Sequence, residues 1–158
     1  FCYVHCGAKI LKKMAKVLAK KLKMTQIWKG DKIVPVTPLG LKTEADLLFL
    51  KEIKEGDLVS VSGKSKGRGF QGVVKRHGFH GGPMTHGQKN RQRAPGSIGA
   101  TAPQRVIKGR RMPGHMGNVR VTVRNLRVAV ILNDEKKILV KGAVPGHTGA
   151  EVRIVKKK

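Results

Sequence analysis

From Gly67 to Asn118 the chain reads GRGFQGVVKRHGFHGGPMTHGQKNRQRAPGSIGATAPQRVIKGRRMPGHMGN. Glycine or proline recurs every few residues, and no sustained apolar period marks a core-facing side. Such a segment neither runs as one long helix or strand nor builds a core of its own. It also lacks the means to neutralise its own charge, because the acids stop at Asp57 and resume at Asp134. Between them stand Lys64, Lys66, Arg68, Lys75, Arg76, Lys89, Arg91, Arg93, Arg105, Lys108, Arg110, Arg111, Arg120, Arg124 and Arg127. A solvated face normally mixes signs, so a window of one sign points to a polyanion. The excess of arginine over lysine favours forked contacts to phosphate.

The whole chain shares this bias. Its 158 residues suit one domain with an appended element. It carries 34 Lys and Arg against 9 Asp and Glu, a formal charge of +25. Self-repulsion at that level opposes compaction, and a polyanion relieves it. Nucleic acid is one such partner and a membrane surface the other. No apolar run reaches the roughly 18 residues of a bilayer-spanning helix. Cys2 and Cys6 form a C-x3-C spacing with no second pair, a weak metal or disulfide signal. Residues 1–13 are expected to be a disordered tail or an artefact ahead of a start at Met14.

Structure is expected on either side of the glycine-rich window. Over residues 8–24, Ile10, Leu11, Met14, Val17, Leu18 and Leu22 fall at helical spacing with lysines opposite, the pattern of a basic amphipathic helix. The alternative is a helix or strand packed on the domain. DKIVPVTPLG reads as an edge strand because of Pro35 and Pro38. TEADLLFLKEIKEGD fits a helix starting at Thr43 and stopping at Gly56, or a short strand and turn. DLVSVSG reads as a strand ending at Gly63. RVTVRNLRVAVIL alternates with a change of phase near Asn125, the mark of a bulge. The last third reads as an antiparallel meander through KKILVKG and EVRIVKKK. A small β-barrel or sandwich from residues before about 63 and after about 119 follows, with a long loop leaving and returning. Loops of that length are uncommon without a function.

The window offers little to catalysis. His77, His80, His86 and His115 have no carboxylate nearby in sequence to orient an imidazole, and no cysteine to complete a metal site. GKSKGRGFQG lacks the order of a phosphate-binding nucleotide loop, and VVKRHG after it reads as strand-like. Phe70 and Phe79 are too few for a broad stacking platform. What remains is an irregular basic segment able to enter the crevices of a structured RNA. There histidines stack on bases or bond to phosphates, and glycine lets the backbone approach closely.

GKSKGRGFQGVVKRHGFHGGPMTHG, RAPGSIGATAPQRVIKGRRMPGHMGN, RVTVRNLRV and VKGAVPG together resemble the universal large-subunit ribosomal protein three family, in its bacterial or organellar form. KKLKMTQIWKGDKIVPVTPL is a weaker match to the family's N-terminal strands. The resemblance implies a mostly-β fold, a small translation-factor-type barrel with a long irregular glycine- and arginine-rich extension. It places the barrel at 14–63 and 119–158 and the extension at 64–118, with His80-Gly81-Gly82-Pro83-Met84 near the tip. The implied role is a structural constituent of the large subunit that binds its rRNA, supports early assembly and sends the extension toward the peptidyl transferase centre. The rRNA-contacting residues are then Lys64, Lys66, Arg68, Lys75, Arg76, His77, His80, Gly81, Gly82, His86, Lys89, Arg91, Arg93, Arg105, Lys108, Arg110, Arg111, His115 and Arg120.

The implied partners are large-subunit rRNA and neighbouring ribosomal proteins, on a cytoplasmic or organellar ribosome. No cofactor, metal, membrane or small-molecule substrate is expected, and no enzymatic activity. An extraribosomal basic protein binding RNA or DNA non-specifically is the alternative. Relatives carry glycines where this chain has Ala19 and Lys23, and a long stretch of barrel where only a short link joins Leu39 to Glu52. Part of the usual barrel is therefore expected to be missing. Either EADLLFLKEI patches the gap, or the free chain is poorly folded and relies on RNA and its neighbours. The charge of +25 favours the second. Trp28 is read most simply as a barrel residue.

Overall fold

A computed structural model of the chain describes residues 16–41 and 49–156. The proposed tail at 1–13, the first part of the basic 8–24 segment and the helix start at Thr43 lie outside them. The chain divides into two compact units, one holding residues up to Lys64 and from Arg120 onward, the other Ser65–Val119.

The first unit is a closed β-barrel. Its strands are β1 (Lys16–Lys21), β2 (Thr25–Lys29), β3 (Lys32–Leu41), β4 (Leu58–Lys64), β7 (Arg120–Leu132), β8 (Lys137–Lys141) and β9 (Glu151–Lys156). The second unit holds β5 (Phe70–Gln71) and β6 (Gly114–His115). The barrel strands run in the order β1-β9-β4-β7-β8-β3, and β1 pairs again with β3 to close a six-stranded ring. β2 stands outside it as the partner of β3. All the pairings are antiparallel.

The helical spacing expected over 8–24 gives way to a strand from Lys16. Val17 and Ala19 are buried, Leu18 and Lys20 exposed, a period of two. Neighbours on both sides decide it: β1 pairs β9 from Lys16↔Val155 to Lys20↔Glu151, and β3 from Ala19↔Leu41 to Lys21↔Leu39. Tertiary pairing overrides a local helical pattern of this kind. Lys21 then clamps the loop before β9, donating Nζ to the carbonyls of Val144 at 2.6 Å and Gly146 at 2.7 Å.

The expected bulge is present. Val59 faces Leu126 and Val61 faces Val123, so β7 carries one more residue than β4 between these pairs, and Asn125 takes a φ of 59°. Such an extra residue bends the strand and raises its twist, which a small barrel needs. The expected meander does not hold beyond β8. β8 pairs with β3, and β9 crosses to lie between β1 and β4. Trp28 is also not a barrel residue in the packing sense: it sits on β2, outside the ring, and is 69% exposed opposite Ile33.

The barrel is closed rather than incomplete. Residues 49–52 form a helical turn, and Phe49, Leu50 and Ile53 join the core with Leu39, Val59, Val61, Val128, Ile138, Val140, Val152 and Ile154. The short link thus supplies apolar side chains of its own. It is fastened at its end: Gly56 N–H donates to the Val128 carbonyl at 2.9 Å, and Val128 N–H to the Asp57 carbonyl at 3.0 Å. The Asp57 carboxylate accepts from Lys54 N–H at 2.9 Å and pairs with Lys156 Nζ at 2.6 Å.

With its own core, the barrel is expected to unfold cooperatively in urea without RNA. Leu39 is fully buried, so Leu39→Ala should cost about 2–5 kcal/mol. An unchanged urea midpoint would show that Leu39 is not in the core. The bond from Lys156, helped by the Lys54 N–H, holds the Asp57 carboxyl below the usual carboxylate range. A depressed folded-state value contributes stability above the ordinary carboxylate range and loses it as pH falls through the folded value. Asp57→Asn should flatten the acid limb of stability against pH, and an identical acid limb in the variant would refute the link.

Candidate nucleic-acid interface

The second unit starts as a ladder. Ser65 N–H donates to the Val119 carbonyl, Arg68 N–H to Met116 and Met116 N–H to Gly69, each at 2.9 Å. The two short strands β5 and β6 extend it with Phe70 opposite His115. At Gly117, φ is 78° and a Cβ would overlap the Lys66 carbonyl oxygen, so only glycine allows the two runs to approach here.

Beyond the ladder comes a five-residue helix, Val73–His77, where the sequence pattern suggests a strand. Val73 is buried, and Gly78 closes the helix in the left-handed conformation with its N–H on the Val74 carbonyl. The helix is tied to the returning chain through a single acceptor. Arg76 donates to the Met112 carbonyl at 2.6 Å, and His77 Nε2 lies 3.0 Å from the same oxygen. A carbonyl only accepts, so His77 Nε2 carries a proton. The His77 and Phe79 rings pack at 5.9 Å between centroids, tilted by 41°.

The Gly81–Gly82 segment is pinned by backbone. Gly82 N–H donates to the Gln92 carbonyl at 2.8 Å. At Gly81, φ is 78° and a Cβ would overlap that same carbonyl. The doubled glycine in HGGPM therefore permits a close crossing of two backbone runs. Around the crossing lies a cavity of about 570 Å³, bordered by His77, Phe79, His80, Gly81, Gly82, Gln88, Arg91 and Arg111 among others. A smaller hollow of about 310 Å³ is lined by Pro83, Met84, His86 and Lys89.

The structure distributes the sequence-predicted contacts unevenly. Lys64 and Arg120 face each other across β4 and β7 at the end of the barrel. Lys66 and Arg68 follow on the ladder and His115 on β6. Lys75, Arg76 and His77 share the short helix. His80, Gly81, Gly82, Arg91 and Arg111 converge on the larger cavity, and His86 and Lys89 on the smaller. Arg93, Arg105 and Lys108 are exposed and border neither cavity. Arg76 and Arg110 each commit a donor within the unit, Arg110 to the Ser97 carbonyl; a guanidinium has others to offer. The sequence pattern did not point to the Met112 and Gln92 carbonyls, since backbone acceptors leave no residue-type signal.

No acid falls in this unit, so its cations have no carboxylate partner there. The described ion pairs, Lys137 with Glu135 and Lys156 with Asp57, belong to the barrel. Among the described residues no three His, Cys, Asp or Glu side chains gather as a metal site would require, and no helix is long and apolar enough to cross a membrane.

Fold and surface together define a small β-barrel protein bearing a folded, cationic, carboxylate-free insertion. Known proteins share its sequence. Residues 8–139 match the family described as ribosomal protein L3. The chain is 55% identical over 122 residues to the large ribosomal subunit protein uL3 of Herpetosiphon aurantiacus, covering 77% of this chain and 58% of that protein. It is 42% identical over 159 residues to that of Chlorobium phaeobacteroides, covering 98% of this chain and 76% of that protein. The corresponding protein of Pelotomaculum thermopropionicum is 58% identical over 116 residues, covering 73% of this chain and 52% of the relative. The chain belongs to the ribosomal protein L3 family. It spans less than three fifths of the length of the Herpetosiphon relative.

The glycine crossing can be tested directly. Gly81→Ala should separate the runs at Gln92 and speed hydrogen exchange at the Gly82 amide while leaving the β4 and β9 amides protected. Unchanged exchange at Gly82 would refute the crossing.

Proposed function

We propose that this chain is a structural component of the large ribosomal subunit, bound to its rRNA through the second unit. The observation that carries the reading is a folded unit, Ser65–Val119, with many cations and no carboxylate. Such a unit repels itself until phosphates surround it. Family membership supports rRNA as the source of that phosphate, because the relatives are named as large ribosomal subunit proteins. The unit reaches into rRNA toward the peptidyl transferase centre with the Gly81–Gly82 region foremost, and the chain supports early assembly. The RNA and the neighbouring subunit proteins are its partners and the ribosome its location. No catalytic role is proposed for the second unit, since its imidazoles have no carboxylate within that unit to orient them.

The contacts proposed are the lysines and arginines of the ladder, helix and tip, with Lys64 and Arg120 at the barrel end. His77, Arg76 and Arg110 also hold the unit's own shape through the Met112 and Ser97 carbonyls. The rival reading is a non-specific RNA- or DNA-binding protein outside the ribosome. It predicts equal affinity for folded large-subunit rRNA and for random RNA at matched salt.

Replacing Arg110 and Arg111 together with alanine should impair incorporation into large subunits. It should also lower the log–log salt slope of rRNA binding by about 0.7–0.9 for each phosphate that is no longer neutralised. Normal incorporation with an unchanged slope would remove these two arginines from the interface.

A further inference from the structure

The cavity at the tip has features that phosphate binding alone does not explain. A surface that only tracks a backbone needs cations, not a hollow. Here an open hollow of about 570 Å³ is bordered by both the outgoing and the returning chain, within the roughly 300–1,000 Å³ that hold small ligands. Phe79 lines it, with its ring braced against His77 at 5.9 Å. The imidazole is itself fixed by the Met112 carbonyl. The Gln88 amide borders the same space, its Nε2 lying 2.7 Å from where a Cβ on Gly82 would stand. Arg91 and Arg111 border the same space, and neither meets a carboxylate in this unit.

An aromatic ring and an amide at the cavity's border, with two guanidinium groups beside them, suit a flat heterocycle that carries a phosphate. We propose that this cavity receives one unpaired nucleotide of an RNA strand. Its base packs on Phe79, and its flanking phosphates meet Arg91 and Arg111. RNA recognition commonly uses bases splayed out of the stack onto aromatic rings. A nucleotide within a strand fits better than a free one. The surrounding cations of the unit need many phosphates, and a mononucleotide brings only its own. This rests on the RNA-binding reading of the second unit.

The full chain is titrated with a short RNA duplex carrying one bulged 2-aminopurine, whose emission reports stacking. The same duplex with an abasic bulge serves as the reference. The bulged base should quench on binding, and its duplex should bind about tenfold more tightly than the abasic one, the scale of one base–aromatic stack. Phe79→Leu keeps an apolar side chain but removes the π-face. It should erase that difference while leaving affinity for the abasic duplex unchanged. Adenosine monophosphate at millimolar concentration should fail to displace the duplex.

Equal affinity for the two duplexes, or a preference that survives Phe79→Leu, overturns the nucleotide pocket and leaves RNA binding standing. Displacement by the mononucleotide overturns the requirement for a strand. Absence of binding to either duplex overturns the RNA interface itself, and the pocket with it.

Discussion

The fold depends on one six-residue strand having neighbours on both sides. β1 pairs with β9 along most of its length and with β3 at its last residues, and those shared residues convert an open sheet into a ring. Without the second pairing, β1 and the end of β3 would each present an unsatisfied edge, which in a basic protein with a small core is costly. Closure also fixes what every other strand buries. Val17 and Ala19 of β1 face Leu39, Val59 and Ile154 in one continuous core. The link after β3 then has a hydrophobic interior to finish, and Phe49, Leu50 and Ile53 finish it. Lys21 extends the same dependence, holding the loop that delivers β9 to its place.

Charge is segregated along the chain with the same clarity. All the acids lie in the residues of the barrel unit, where Glu135 pairs with Lys137 in the same turn and Asp57 with Lys156 of the last strand. The second unit organises its backbone by other means. Its cations meet carbonyl oxygens where they meet anything, as Arg76 does at Met112 and Arg110 at Ser97. Carbonyl acceptors satisfy a guanidinium N–H without cancelling its charge. The unit can therefore be shaped and remain strongly positive, a combination that salt bridges would destroy.

Much of this was legible in the sequence, and the remainder failed for identifiable reasons. Alternation marked β4 and β7, and the phase change at Asn125 marked the bulge, because these signals are local. The β1 segment carried a helical spacing that only its two distant partners overrule. The position of β9 was hidden because alternation reveals a strand but not its neighbours. The link at 49–53 looked too short to complete a barrel when counted in residues, yet a helical turn brings three apolar side chains inward. Trp28 looked like packing material, and only the hairpin geometry shows it outside the ring. At the candidate site, the cation window and the doubled glycine were plain. The shared Met112 carbonyl was not, since a backbone oxygen contributes nothing to a residue pattern.

Lys64 and Arg120 are register partners, so the second unit leaves and re-enters the barrel through adjacent antiparallel strands. Topologically it is a hairpin loop grown to the size of a domain. The entropy of closing such a loop rises only with the logarithm of its length, about 0.6 kcal/mol for each doubling. Residues inserted or deleted beyond the first rungs leave the β4–β7 register untouched. The barrel can therefore hold its shape while the insertion lengthens, shortens or changes sequence to follow whatever surface it meets.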